Sequence, residues 1–357
     1  MAITKAPTAI ICLSPGNGGM EMNAIKLARK LSPYTEITVI AKKDHFIANN
    51  HKDYVGFNGI RLETIEFKRN FGPSIIKNAK RIVSDLNIKN VIFFGASELK
   101  SLHFAFKKLD INLTVIHSTT KSHPKKDWFH KIVYQDVNTH VSICQHLKKN
   151  VRFIVPFGKK TKEKMIYTSL TINPVKHHAQ KKLTIVHSGR IAPGKGQIDA
   201  IQAVKILVDN DIDFDFYLLG DLDDKYKAEF DNFLKTVGYQ EHLHFVGFTT
   251  AVSDYLAMAD IFLFPSWGEG LSNSFVEALA ANIPALSYDN TSFPELQELG
   301  FHFHTAKDRD IHDLQSILLN IVNNLENETN LCHNNLTIAE KTFSEEKEIA
   351  SYLELLV

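Results

Sequence analysis

Glu269 and Glu277 stand eight residues apart in the stretch EGLSNSFVE, and their surroundings favour chemistry on a sugar. Before them, IFLFPS predicts a short buried strand. After them, Phe275-Val276-Glu277-Ala278-Leu279 opens a helix. Backbone N–H groups of a small-residue loop and the positive end of a helix hold anions, and carboxylates accept hydroxyl protons. That combination suits a polyol phosphate, of which a nucleotide-sugar is one. Each acid alone has a plainer reading: Glu277 as a complement to the helix dipole, Glu269 as a solvated loop acid. A hydrolytic pair would face each other across a sugar at ~5–9.5 Å. A loop and the helix that follows it grip one side of a ligand, so both acids read as hydroxyl clamps.

Three other loops carry candidate chemistry. In Gly189-Arg190-Ile191-Ala192-Pro193-Gly194-Lys195-Gly196, an Arg and a Lys five apart can converge on a diphosphate, one as a bidentate fork and one as a point charge. It is not a Walker A loop, since Gly196 stands where Ser or Thr would hold magnesium. Near the start, Ser14-Pro15-Gly16-Asn17-Gly18-Gly19 follows the apolar run TAIICL. Its G-x-G-G spacing departs from the dinucleotide fingerprint, and it reads either as a close approach to ligand or as a structural turn. His117-Ser118 closes the run LTVIHS, which places an imidazole at the carboxyl end of a strand. Lys121, His123, Lys125 and Lys126, with Trp128, then form a basic loop, either a seat for an anionic acceptor or a solvated segment.

Both halves of the chain alternate short apolar runs with amphipathic helices. TAIICL, EITVIA, NVIFFG and LTVIHS recur in the first half; LTIVHS, DFYLLG, LHFVGF, DIFLFPS and IPALSY follow in the second. Helices are predicted over about 23–31, 75–86, 99–109, 198–208, 225–237, 252–257 and 274–281. Continuously apolar strands belong in parallel sheets covered on both faces. The prediction is therefore an α/β protein of two Rossmann-like, doubly wound domains facing a cleft, with ligands beyond the carboxyl ends of the strands. The polar, lysine-rich segment between Pro156 and Lys182 marks the break. Domains of 1–160 and 161–342 are expected, with a short amphipathic helix over 343–357.

The chain has 357 residues, 44% hydrophobic and 23% charged, with a net charge of +1, which argues against a nucleic-acid binder. Charge is nonetheless uneven, with 12 Lys/Arg against 3 Asp/Glu between Lys100 and Lys160, a bias towards an anionic substrate or membrane surface. Three scattered cysteines, Cys12, Cys144 and Cys332, show no metal-like spacing and indicate a reducing compartment. No stretch approaches the ~20 apolar residues of a membrane span. A cytoplasmic protein is expected, with peripheral contact at an inner membrane as a further possibility.

Taken together, GGMEMNAIKLARKL, HS at 117–118, VPFG at 155–158, GRIAPGKG, LLGD, VGF and EGLSNSFVEAL resemble glycosyltransferase family 4, the retaining group with the GT-B fold. Phe157 replaces the Asn usual before Gly158. The run HSTTKSHPKKDWFHKIVYQDVNTHVSICQHLKKN also resembles transferases of bacterial lipopolysaccharide and surface-glycan assembly. The resemblance implies that Arg190 and Lys195 neutralise the donor diphosphate and Glu277 binds the ribose hydroxyls. Glu269, with backbone N–H groups of Gly270, Leu271 and Ser272, would hold the donor sugar and its phosphate, with His117 beside it. Gly18 and Gly19 would approach the donor phosphate and the acceptor, Val246 and Gly247 would lie near the base, and the terminal helix would return to the first domain.

The activity so implied moves a hexose or N-acetylhexosamine from a nucleotide diphosphate sugar, first of all a uridine one, to a glycan or lipid-linked acceptor. His117, Arg190, Lys195 and Glu269 would be its catalytic group. No cofactor and no metal are expected, because no Asp-x-Asp loop element is assigned to hold one. A nucleotide-sugar epimerase or a phosphorylase on the same frame, and a non-catalytic nucleotide-sugar-binding subunit, are the alternatives. Donor turnover without an acceptor would mark an epimerase, and binding without turnover a scaffold.

Overall fold

Two all-parallel sheets hold the strands of the chain, as the continuous apolar runs require. The structure is a computed structural model describing residues 5–16, 18–172, 175–178 and 180–357. Asn17 of the first glycine loop, and Asn173, Pro174 and Ala179 of the joining segment, lie outside the described residues. One unit spans Met1–Ser169 with Glu345–Val357; the other spans Leu170–Ser344.

The first unit holds β1 (Thr8–Cys12), β2 (Ile37–Lys42), β3 (Arg61–Ile65), β4 (Asn90–Phe94), β5 (Asn112–His117), β6 (Thr139–Ser142) and β7 (Lys162–Met165). Their order is β3-β2-β1-β4-β5-β6-β7. Every residue of β1 and β4 is buried, because helices cover both faces of the sheet centre. Chain direction across the sheet reverses between β1 and β4. The loops after those two strands therefore diverge and leave a crevice at their carboxyl ends.

The second unit repeats the design with β8 (Leu183–Ser188), β9 (Phe214–Leu219), β10 (Leu243–Gly247), β11 (Ile261–Phe264), β12 (Ala285–Tyr288) and β13 (His304–Ala306), ordered β10-β9-β8-β11-β12-β13. Its reversal falls between β8 and β11. The Arg190–Lys195 loop follows the first of these strands and the Glu269 loop follows the second.

The boundary differs from the sequence expectation. Residues 161–169 belong to the first unit, which ends at Ser169 rather than 160, because β7 pairs in parallel with β6 from Lys162 to Met165. KEKM alternates exposed and half-buried residues as an edge strand does, and that polar pattern resembles a linker. Glu345–Leu353 forms the last helix, and the chain end packs within the first unit. Lys30 Nζ lies 2.6 Å from Glu348 Oε2, with side chains only 10% and 5% exposed. The Asn112 side-chain amide donates to the Leu355 carbonyl at 2.6 Å, and the Ala6 N–H to the Val357 carbonyl at 3.0 Å.

Glu348 also accepts from the Ser169 N–H at 3.0 Å, so a single buried carboxylate ties the last helix to Lys30 and to the chain's exit from the unit. Removing one partner of a buried pair costs about 3–5 kcal/mol, because the other charge stays buried without compensation. Glu348→Ala is expected to lower the melting temperature of the first unit, and Lys30→Met with Glu348→Leu to recover much of the loss. Differential scanning calorimetry checks both.

Candidate functional site

At the reversal of the second sheet the two loops are fastened together by close contacts. Gly196 has φ +78°, and a Cβ there would stand 2.1 Å from the Pro265 carbonyl oxygen, so this position takes only glycine. The Trp267 N–H donates to the Gly194 carbonyl at 3.0 Å, and the Ser266 hydroxyl lies 2.8 Å from the same oxygen. The Ser274 hydroxyl donates to the Ser188 carbonyl at 2.8 Å. Lys195 Nζ reaches Glu269 Oε1 at 2.6 Å, and Ser266 Oγ is 3.1 Å from that oxygen. The lysine of one loop and the acid of the other thus meet directly, the lysine 30% exposed and the acid 9%.

The helix Asn273–Ala280 starts at this place, with Ser272 Oγ capping the Phe275 N–H. No acidic residue sits in its first turn, so its positive end is not offset by its own sequence. Phe275 is fully buried among Phe262, Phe264, Phe293 and Phe303, at centroid distances from 4.9 to 6.0 Å. That cluster fixes the helix start. His187 stacks on Phe264 at 4.9 Å, and its Nε2 lies 3.0 Å from the Lys195 carbonyl, which can only accept; Nε2 therefore carries the proton. Burial holds this imidazole down to about 4, so it stays neutral at physiological pH.

Arg190 is exposed, and its Nη1 lies 3.9 Å from Asp223 Oδ2. Gly247 has φ +75°, and its carbonyl accepts from the Gly220 N–H at 2.8 Å, which fixes the Val246-Gly247 end of β10 beside the loop after β9. Gly270, Leu271 and Ser272 run directly into the helix, Leu271 and Ser272 buried. Glu277 lines a cavity of about 250 Å³ with Thr171, Ile172, Thr250, Val252 and Ser253.

In the first unit the crevice at the β1/β4 reversal is a cavity of about 300 Å³, lined by Ser14, Asn70, Ser97, Glu98, His117 and Lys121 among others. His117 Nε2 lies 2.9 Å from His140 Nδ1, and both rings are buried. Burial, then the nearby Lys121 charge, holds His117 well below the ordinary value and His140 down to about 3. Both rings are therefore neutral hydrogen-bonding groups. Burial pushes the Glu98 carboxyl up.

Two expectations change here. The Gly18 N–H donates to Glu21 Oε2 at 2.9 Å, and a Cβ on Gly16 would stand 3.2 Å from the other oxygen of that carboxylate. A buried acid thus already occupies the loop end where Gly18 and Gly19 were expected to approach a phosphate. The basic loop also divides. Lys121 lines the His117 cavity, whereas Lys126 donates to the Arg152 carbonyl at 3.1 Å and lines another groove with Lys131, Arg152, Lys159 and Lys160. His123 is exposed beside the Ser122 hydroxyl, and burial, then the Lys100 charge, lowers Lys125.

Sequence reasoning overlooked an Asp-x-Asp spacing, Asp221-Leu222-Asp223, in the loop after β9. Asp221 Oδ1 accepts the Phe248 N–H at 3.1 Å, and Asp223 Oδ1 accepts the Lys225 N–H at 3.0 Å while its other oxygen faces Arg190. Ser266 and His140 were also missed. Ser266 stands inside the PSWGEG run, where a serine three residues before an acid was the available signal. His140 lies on a strand, THVS, too short and polar to be read as one.

Residues 170–335, almost the whole second unit, match the family described as Glycosyl transferases group 1. The chain is 28% identical over 178 residues to the amylovoran biosynthesis glycosyltransferase AmsK of Erwinia amylovora, covering 44% of this chain and 42% of that protein. It therefore spans less than half the length of that relative. It is 23% identical over 286 residues to the capsular polysaccharide biosynthesis glycosyltransferase CapH of Staphylococcus aureus, covering 76% of this chain and 78% of CapH. Among solved structures, Anabaena HepE in complex with UDP-glucose aligns with a TM-score of 0.78 at 16% identity, over 99% of this chain and 100% of that one. The fold is that of two parallel-sheet α/β domains, as GT-B neighbours have it. Among the described residues no helix is long and apolar enough to cross a membrane.

Burial, reinforced by Lys125, brings Lys121 down to about 8 from the ordinary 10.5. Lys121 is thus a cation below that pH and a neutral amine above it. In a ¹³C-lysine-labelled sample, one side-chain resonance should titrate near pH 8 and vanish in Lys121→Arg. A full set of lysines titrating at the ordinary value would overturn this environment.

Proposed function

We propose that the protein is a glycosyltransferase that moves a hexose or N-acetylhexosamine from a nucleotide diphosphate sugar to a glycan or lipid-linked acceptor in surface-polysaccharide synthesis. The observation that carries this reading is the Lys195–Glu269 contact at the β8/β11 reversal, beside a helix start without its own acid. The match of residues 170–335 supports it, as do the names of AmsK and CapH. The UDP-glucose bound by HepE favours a uridine donor.

In this reading a diphosphate takes Lys195 and Arg190, and Glu269 turns to sugar hydroxyls. Breaking the sugar C1–O bond leaves negative charge on the departing diphosphate. The two cations and the amides from Gly270 to the helix start stabilise that charge, without a metal. Such preorganised donors act mainly on charge developing in the transition state. Glu277, with Thr250 and Ser253 in its cavity, supplies acceptors for ribose hydroxyls, and Val246 and Gly247 at the end of β10 face the base. His117, held neutral, gives a hydrogen bond rather than a charge. No residue of the site is assigned as a covalent nucleophile. Attack on the face the diphosphate leaves, with that diphosphate taking the acceptor's proton, retains the anomeric configuration. Lys121 and Lys125 serve an anionic acceptor. Exposed Trp128 and Phe153, with Lys126, Lys159 and Lys160, suit peripheral contact with an anionic membrane at the cytoplasmic face.

Two experiments test the reading. In a thermal-shift panel, one nucleoside diphosphate family, expected to be uridine, should stabilise the protein equally with and without EDTA. No shift from any nucleotide would undercut it, and a shift abolished by EDTA would remove its metal-free part. Lys195→Ala should lower donor turnover by about 10²–10³-fold, the loss typical of one oxyanion-type contact. Near-normal turnover in that variant would disprove the diphosphate assignment.

A further inference from the structure

At the outer strand of the second sheet, His302 just before β13 and His304 at its first residue bracket Phe303. Burial alternates along this segment: Phe301 and Phe303 are buried, while His302 and His304 are partly exposed. The two imidazoles stand side by side, their ring centroids 5.5 Å apart. Glu328, on the helix Leu325–Leu331, comes up against both. His304 Nε2 lies 2.7 Å and His302 Nε2 3.2 Å from the same oxygen, Oε2. All three ligand atoms fall within 4.8 Å of one another, and the two rings meet at 82°.

We propose that His302, His304 and Glu328 bind a divalent transition-metal ion of the zinc class. Two imidazole nitrogens and one carboxylate oxygen form a donor set such ions take, with ligand distances of about 2.0–2.2 Å. Without a metal, two N–H groups crowd one carboxylate oxygen. A cation at their centre uses the same three atoms as ligands and needs only small side-chain adjustments. The backbone there is already fixed: the His302 N–H donates to Asn335 Oδ1 at 2.8 Å, and the Asn335 amide donates to the His302 carbonyl at 2.9 Å. Glu328 is 9% exposed, whereas the histidines are 35% and 29% exposed, so the fourth position faces solvent and suits water. The ion clips the start of the sheet's edge strand to the helix Leu325–Leu331, away from the β8/β11 loops. Its role is structural, separate from the metal-free diphosphate site proposed above.

The test uses the tag-free full chain, stripped with chelator, then titrated with Co(II) and Zn(II). Co(II) should give the intense visible absorption of a four- or five-coordinate site at one equivalent, and Zn(II) should displace it and raise the melting temperature. His304→Ala and Glu328→Gln should each weaken Co(II) binding by more than about 10–100-fold, the loss that removing even an outer partner of a metal ligand brings. His333→Ala, which changes a histidine whose Nδ1 lies 2.7 Å from the Asn330 carbonyl, should leave it unchanged. A wild-type protein without the Co(II) band, or a band that survives in both ligand variants, overturns the proposal. Since neither readout depends on turnover, the result stands apart from that of the nucleotide panel.

Discussion

The Lys195–Glu269 contact joins the two loops at the reversal of the second sheet, and the loops around it exist in a form that allows it. Lys195 can reach Glu269 only because Gly196 turns back with positive φ against the Pro265 carbonyl, and because Ser266 and Trp267 hold the Gly194 carbonyl. The pair is partly exposed, and pairs of that kind contribute about 0–1 kcal/mol. The lysine is thus held in place but not held tightly. In the proposed reaction a diphosphate, which offers more charge and more acceptor atoms than a carboxylate, would take the lysine over at small cost. Glu269, released from the lysine, would then accept from hydroxyls.

The phenylalanines behind the loops explain why this contact is reproducible. Phe275 sits in the middle of the stretch that carries both acids, fully buried among four other rings. Burying a ring of that size contributes about 1.5–3 kcal/mol. That is more than any single polar contact in the loops, so the apolar anchor sets the helix start and the polar groups follow it. His187 joins the same stack on one side and the Lys195 carbonyl on the other, which links the core to the loop through a neutral ring.

The sheets were legible in the sequence wherever strands are buried on both faces. TAIIC, NVIFF and LTIVHS allow no other reading as strands. The edges were not. RLETI, KEKM and HTA are short or half polar, since one side of each faces solvent, and the domain boundary was misplaced because KEKM looked like a linker. The candidate site shows the same division. Arg190, Lys195 and Glu269 could be named because loops after central strands must gather at one end of the sheet. That Lys195 and Glu269 pair with each other, or that Glu21 turns back onto the first glycine loop, depends on side-chain reach across non-adjacent residues. Spacing alone does not encode that. The His117–His140 contact needed the neighbouring register of β5 and β6, one strand of which carried no apolar signal.

The two units share one architecture and one kind of crevice, yet the acid in the first turn of the helix after the central strand turns a different way in each. In the first, the opening helix Gly19–Leu31 carries an acid in its first turn, folded back onto the Gly18 amide. In the second, the helix in the same place, Gln197–Val208 after β8, carries Asp199 in its first turn, and that carboxylate accepts from the Tyr288 hydroxyl at 2.8 Å. One copy of the fold thus turns its first-turn carboxylate onto its own glycine loop, a resident counter-anion at the helix's positive end, and the other turns it onto a tyrosine at the end of β12.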